Sequence, residues 1–287
     1  MNTKELIDML NRDLADEHAA TLRYLVHSYL EGEDTPLGAS LLSRSREEMW
    51  HMHWLGMIIG HLGGEPNLEP AGYPYDPVSR ATILESYIRY EEDLVPHYQA
   101  EAEKVDDPHI RRVLEREAWE SAYHAHKFRQ KLKKLSPEEA DGLAQGEKEL
   151  SSHLLDRLQS EVNDKYNEMI QHVRHAWVFQ QNGLLSWEIM NQSMEKMKQL
   201  AHFAEDVAEN GAEPDFSRTG IDTSSEMHPA IQAAANQVST ARDRHASLAE
   251  NDELKGHSGL AANLDLTLRQ EKFQAQELES WLTRLFS

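Results

Sequence analysis

The chain has no cysteine among its 287 residues, which excludes disulfide frameworks, cysteine-based zinc or iron–sulfur centres and thiol catalysis. Glycine and proline are scarce, 14 and 10 respectively, and they gather between periodic segments rather than inside them. No apolar run of about 18 residues occurs, so no membrane span is expected. Met1–Leu10 carries Lys4, Glu5 and Asp8 and so lacks the apolar stretch of a signal peptide. Positive charge is in deficit: 29 Lys+Arg stand against 50 Asp+Glu, a net charge of −21 that disfavours nucleic acid as a partner. The default expectation is a cytoplasmic protein. With 39% hydrophobic residues, there is enough apolar material for a core.

What is present is helical periodicity almost throughout. Leu6, Leu10, Leu14, Thr21 and Tyr24 form one face of a first helix that ends near Gly32 and Pro36. A second helix is predicted over about 37–62, stopped by Gly63-Gly64, and a third over 78–105 after a Pro/Gly/Tyr loop. Asp107-Pro108 starts a fourth, since proline after an acidic cap suits a first helical turn. The segment 137–149 reads as a linker.

The second half repeats the first. Leu6-Ile7-Asp8-Met9-Leu10 recurs as Leu154-Leu155-Asp156-Arg157-Leu158, and Gly64-Glu65-Pro66-Asn67-Leu68 as Ala212-Glu213-Pro214-Asp215-Phe216, both at an offset of 148 residues. In the last helix the best offset becomes 150. The expected fold is all-α: two tandem four-helix bundles, residues 1–136 and 150–287.

A di-metal carboxylate site in such a bundle needs oxygen ligands and imidazoles on the inward faces of four helices. Helix one offers Glu17, on the stripe of Leu10, Leu14, Thr21 and Tyr24. Helix two offers Glu48-Met49-Trp50-His51, whose i,i+3 spacing puts carboxylate and imidazole on one face. Helix three offers Glu91, seven residues before Tyr98, with Glu92 as the less favoured register, and helix four offers His124. Three residues before His124 stands Ser121, not a glutamate. Glu120, one residue out of register, and Glu117, one turn earlier, are the alternatives there. His18, His27, His53, His61, His97 and His126 are expected to be solvated or locally bonded.

With those residues in place, the first half resembles the ferritin-like superfamily, close in pattern to bacterioferritin and rubrerythrin. Arg46-Glu47-Glu48-Met49-Trp50-His51, then Gly63-Gly64-Glu65-Pro66-Asn67-Leu68, resembles the bacterioferritin second helix and its following loop. Asp107-Pro108-His109-Ile110-Arg111, with Ala118 and His124-Ala125, resembles the rubrerythrin fourth helix. The resemblance implies iron ligands at Glu17, Glu48, His51, Glu91 and His124, with Glu120 as a further candidate. It implies oxidation of Fe(II), or reduction of dioxygen or peroxide, at a di-iron or Mn/Fe centre. It departs from the family at Ser121, where a bridging glutamate is usual. The alternative is a non-enzymatic helical scaffold with vestigial sites.

The second half reads differently. At the repeat offsets the ligand positions become Lys165, Lys196, Gln199 and Ser239, then Glu271 and Gln274. Two ammonium groups in place of carboxylates repel a dication, so no metal is expected there, and Lys165 and Lys196 are expected to pair with Glu271. Met49 resembles the haem-ligating methionine of bacterioferritin, with Met197 as its repeat mate. Haem between the halves is the lesser expectation, and a homodimer a further one.

Overall fold

The structure, a computed structural model, describes residues 1–32, 34–143 and 150–286. Among them there is no strand, and no helix is long and apolar enough to cross a membrane. The chain divides into two compact units, Met1–Gly146 and Glu147–Ser287. The last part of the expected linker, 144–149, lies outside the described residues.

In the first unit α1 spans Thr3–Glu31, α2 Pro36–His61, α3 Arg80–Ala102 and α4 Pro108–Leu132, followed by the short α5, Pro137–Asp141. Local chemistry sets most of these limits. Asn2 and Glu5 form a capping box on α1, Thr35 caps α2 ahead of Pro36, and Asp107 caps α4 ahead of Pro108. The third helix starts at Arg80, two residues later than its periodicity suggests, because Ser79 and Thr82 close a capping box there. Gly63 ends the α2 turn at φ +78°, a conformation that costs glycine no steric strain. At Gly38 any Cβ would sit 2.0 Å from the Gly32 carbonyl oxygen, so the α1–α2 turn can be this tight only with glycine.

Helices α1 and α2 pack as one pair and α3 and α4 as another. Hydrogen bonds cross between the pairs: Tyr24 Oη donates to Glu91 at 2.7 Å, and Tyr98 Oη donates to Glu17. Residue numbers fall along α3 as they rise along α1, so these two helices run antiparallel. Tyr24, Tyr87 and Phe128, all fully buried, close one end of the interior with tilted ring contacts.

The second unit has α6 (Ser152–Val178), α7 (Gly183–Glu209), α8 (Met227–Ala249) and α9 (Ser258–Phe286), with a 3-10 turn at Asp252–Gly256. Again the first two helices pack together, and the last two. The long connection between α7 and α8 is laced to α6 by side-chain amides. Backbone N–H groups of Asp215, Ser217, Thr219 and Asp222 donate to the amide oxygens of Gln159, Asn163, Asn167 and Gln171 at 2.7–3.0 Å. Gln159 and Gln171 return bonds to the Asp215 and Asp222 carbonyls. In the first unit Asn11 plays this part, holding Glu65 and Asn67.

Candidate metal centre

Five inward residues of the first unit converge: Glu17 from α1, Glu48 and His51 from α2, Glu91 from α3 and His124 from α4, all at most 2% exposed. They fall into two overlapping groups that could hold a metal ion, Glu17/Glu48/His51 and Glu48/Glu91/His124. Glu48 belongs to both and divides its oxygens between them. Its Oε2 lies 2.9 Å from His51 Nδ1, and its Oε1 lies 2.8 Å from His124 Nδ1. Glu17 Oε2 is 3.1 Å from the same His51 nitrogen, and Glu91 Oε1 is 3.2 Å from that of His124. The imidazole rings face each other nearly parallel, 14° apart with centroids at 6.4 Å.

Both rings are anchored from outside. His51 Nε2–H donates to Glu120 at 2.6 Å, and His124 Nε2–H donates to Glu47 at 2.7 Å. Glu120 is an able acceptor, because its bonds to His51 and Arg116 bring its pKa down to about 2 against the opposing effect of partial burial. A carboxylate on the outer nitrogen fixes ring orientation and leaves Nδ1 for the interior, the usual support of a metal-binding histidine. The structure therefore corrects the candidate role of Glu120. Helix α4 runs without a bulge through that position, so the side chain stays outside and orients His51 instead of joining the inward donors.

Electrostatics inside reflects too many carboxylates for the available cations. Burial alone would push both imidazoles down, but Glu17 and Glu48 raise His51, and Glu48 and Glu91 raise His124, well above the usual histidine value. Burial brings Glu17 up to about 7 despite His51. Glu48 goes the other way: burial would raise it, yet His124 and His51 hold it low. Glu117 is fully buried with neither oxygen hydrogen-bonded, and burial drives its pKa far up. Ser121 is buried on the same α4 face and supplies no carboxylate. Above the two imidazoles lies a surface pocket of about 280 Å³ lined by Glu47, Trp50, Trp54, Arg116 and Glu120. Trp50 is exposed at its rim and not packed inside.

The donor set fits a pair of cations. Metal–ligand bonds of about 2.0–2.2 Å put neighbouring donors roughly 2.8–3.5 Å apart, and the four imidazole–carboxylate separations lie within that span. An imidazole proton can serve only one of the two oxygens crowding each Nδ1 well. A cation at that place serves both.

Of the corresponding positions of the second unit, all but Ser239 are buried, and lysine closes them. Lys165 Nζ bonds Glu271 at 2.7 Å and Glu168 at 2.8 Å. Lys196 pairs with Glu168 at 2.7 Å and not with Glu271 as expected from the sequence. Glu168 is the carboxylate missed by sequence reading, since the first half has Ala20 at its repeat position. Gln199 donates to Gln270 and Gln274 to Glu195, following the lines of His51–Glu120 and His124–Glu47. Ser239 is half-buried, as are Met49 on α2 and Met197 on α7.

Comparison with known protein families, with curated proteins and with solved structures gives no match for this chain. The functional reading therefore rests on the arrangement of its own residues.

Proposed function

We propose that the first unit is a ferritin-like four-helix bundle holding a di-metal carboxylate centre, and that the second is a repeat of it whose centre has been replaced by ion pairs. Glu48 carries the reading: one buried carboxylate faces two His/Glu groups with one oxygen each, as a bridging ligand between two cations does. Glu17, Glu48, Glu91, His51 and His124 would hold the pair, with the imidazole Nδ1 atoms facing the interior. The mixed oxygen and imidazole donors suit iron, or manganese with iron. When bound, such a pair supplies oxidation of Fe(II) coupled to reduction of dioxygen or peroxide.

The chain's own residues provide the rest. Glu47 and Glu120, which line the surface pocket, keep the rings aimed inward. Tyr98 donates to Glu17 Oε1 and leaves Oε2 to face His51, while Tyr24 donates to the same Glu91 Oε1 that faces His124. Burial without a hydrogen bond pushes Glu117 toward its neutral form.

Metal content and aerobic Fe(II) oxidation, wild type against Glu48→Ala, test the proposal. About two metals per chain with oxidation lost in the variant are expected. Well under one metal per wild-type chain after iron loading overturns it, and favours the non-enzymatic scaffold, for which the mutual His–Glu pairing and Ser121 speak.

A further inference from the structure

Helices α1 and α3 meet a second time beyond the centre. Asp13 lies one turn before Glu17, while His97 and Glu101 lie beyond Glu91 on α3, which the antiparallel course brings opposite. His97 Nε2 is 3.0 Å from Asp13 Oδ1 and 3.5 Å from Glu101 Oε2. Asp13 is 0% exposed; its Oδ2 and Glu101 Oε2 find no donor outside the cluster, and the two carboxyl groups lie close enough to share a proton. Three donor atoms of these residues lie within 4.8 Å of one another. The His97 side chain is 39% exposed and opens the group to solvent.

We propose that Asp13, His97 and Glu101 form a separate outer site for a divalent first-row transition-metal ion. The separations of 3.0 and 3.5 Å match neighbouring donors on an ion with bonds of about 2.1 Å. One imidazole with two carboxylates selects manganese, iron or zinc over calcium and magnesium, which prefer all-oxygen shells. Among the described residues no lysine or arginine bonds Asp13 or Glu101, and the nearby Arg12 guanidinium donates to the Asp8 carbonyl instead; the positive charge on hand is that of His97, which the bond to Asp13 raises above the usual histidine value.

The second unit shows what fills the same place when the chain supplies the cation itself. At the offset of 148 residues Asp13 becomes Glu161, His97 becomes His245 and Pro96 becomes Arg244. Arg244 bonds both Glu161 oxygens at 2.8 Å, and His245 bonds one of them at 2.8 Å. The first unit keeps the acid–histidine pair, has a third carboxylate where the second has Ala249, and lacks the arginine.

The test is Mn(II) binding to the full chain carrying Glu48→Ala, read by paramagnetic resonance and by metal analysis after gel filtration. Removing Glu48 silences the inner centre, so the result does not depend on the proposed function. One retained Mn(II) per chain is expected, with affinity lowered at least tenfold by adding His97→Ala or, separately, Asp13→Asn. His97 is partly exposed and Asp13→Asn is isosteric, so at least one variant keeps the fold. The proposal is overturned if Glu48→Ala binds no Mn(II), or if binding survives both further substitutions unchanged.

Discussion

The interiors of the two units place polar groups at matching positions and neutralise them by opposite means. In the first, carboxylates outnumber the available cations and crowd in pairs on two imidazole nitrogens. In the second, Lys165 and Lys196 reach into that space and bond Glu168 and Glu271. An arginine does the same one turn away, on Glu161. A buried charge persists only with a partner, so the contrast separates an interior whose charges are paired by its own lysines from one whose His/Glu groups could hold metal ions.

The widest test of that contrast is Glu48→Ala. Both groups share this residue, so its loss is expected to remove both inner metals, read as metal per chain; retention of both breaks the comparison. Next is Glu168→Ala in the second unit, which strands Lys196 and half of the Lys165 pairing. A loss of about 3–5 kcal/mol is expected for a broken buried pair, measured by hydrogen exchange in α6 and α7 under increasing urea. A change below about 1 kcal/mol would show that the lysines do not depend on that carboxylate.

The pH dependence of the second unit sharpens the point. Burial opposes ionisation of Glu161, but His245 and Arg244 outweigh it and bring the pKa down to about 2. A folded-state pKa below the unfolded one contributes stability that is present above about pH 4.3 and is lost as pH falls toward 2. Glu161→Gln is therefore expected to cost about 3 kcal/mol at neutral pH, a difference from wild type that disappears in acid titrations near pH 2. The smallest expected effect is that of Glu120→Gln. It weakens the anchor of His51 without removing a ligand, and should lower inner metal affinity about 10- to 100-fold, measured by competition with a chelator.

Much of the inner site was legible because helical periodicity fixes which side chains face inward. Glu17, Glu48, His51, Glu91 and His124 each continue an apolar stripe, and stripes are visible in sequence. The Lys165–Glu271 pair followed from reading Lys165 and Glu271 at the repeat offsets. The partners that stand off the stripes were not legible. Glu47 and Glu120 are neighbours of inward residues and reach round the helix to the outer imidazole nitrogens, a reach that depends on how closely α2 and α4 approach. Glu168 replaces an alanine of the first half, so the repeat hid it. His97 gave one signal, Glu101 four residues on, but its buried partner Asp13 comes from a helix 84 residues away in sequence.

The amide lacing of α6 has a consequence of its own. Gln159, Asn163, Asn167 and Gln171 advance by four residues, about 6.0 Å of helix per step, while Asp215, Ser217 and Thr219 advance by two, roughly 6.6 Å of extended chain. The two rulers nearly agree, and the mismatch grows with each step. After two steps the connection spends three residues on the next one, across Gly220, before Asp222 meets Gln171. An extended segment can therefore be read two residues at a time along a helix only for a few marks before the count must change.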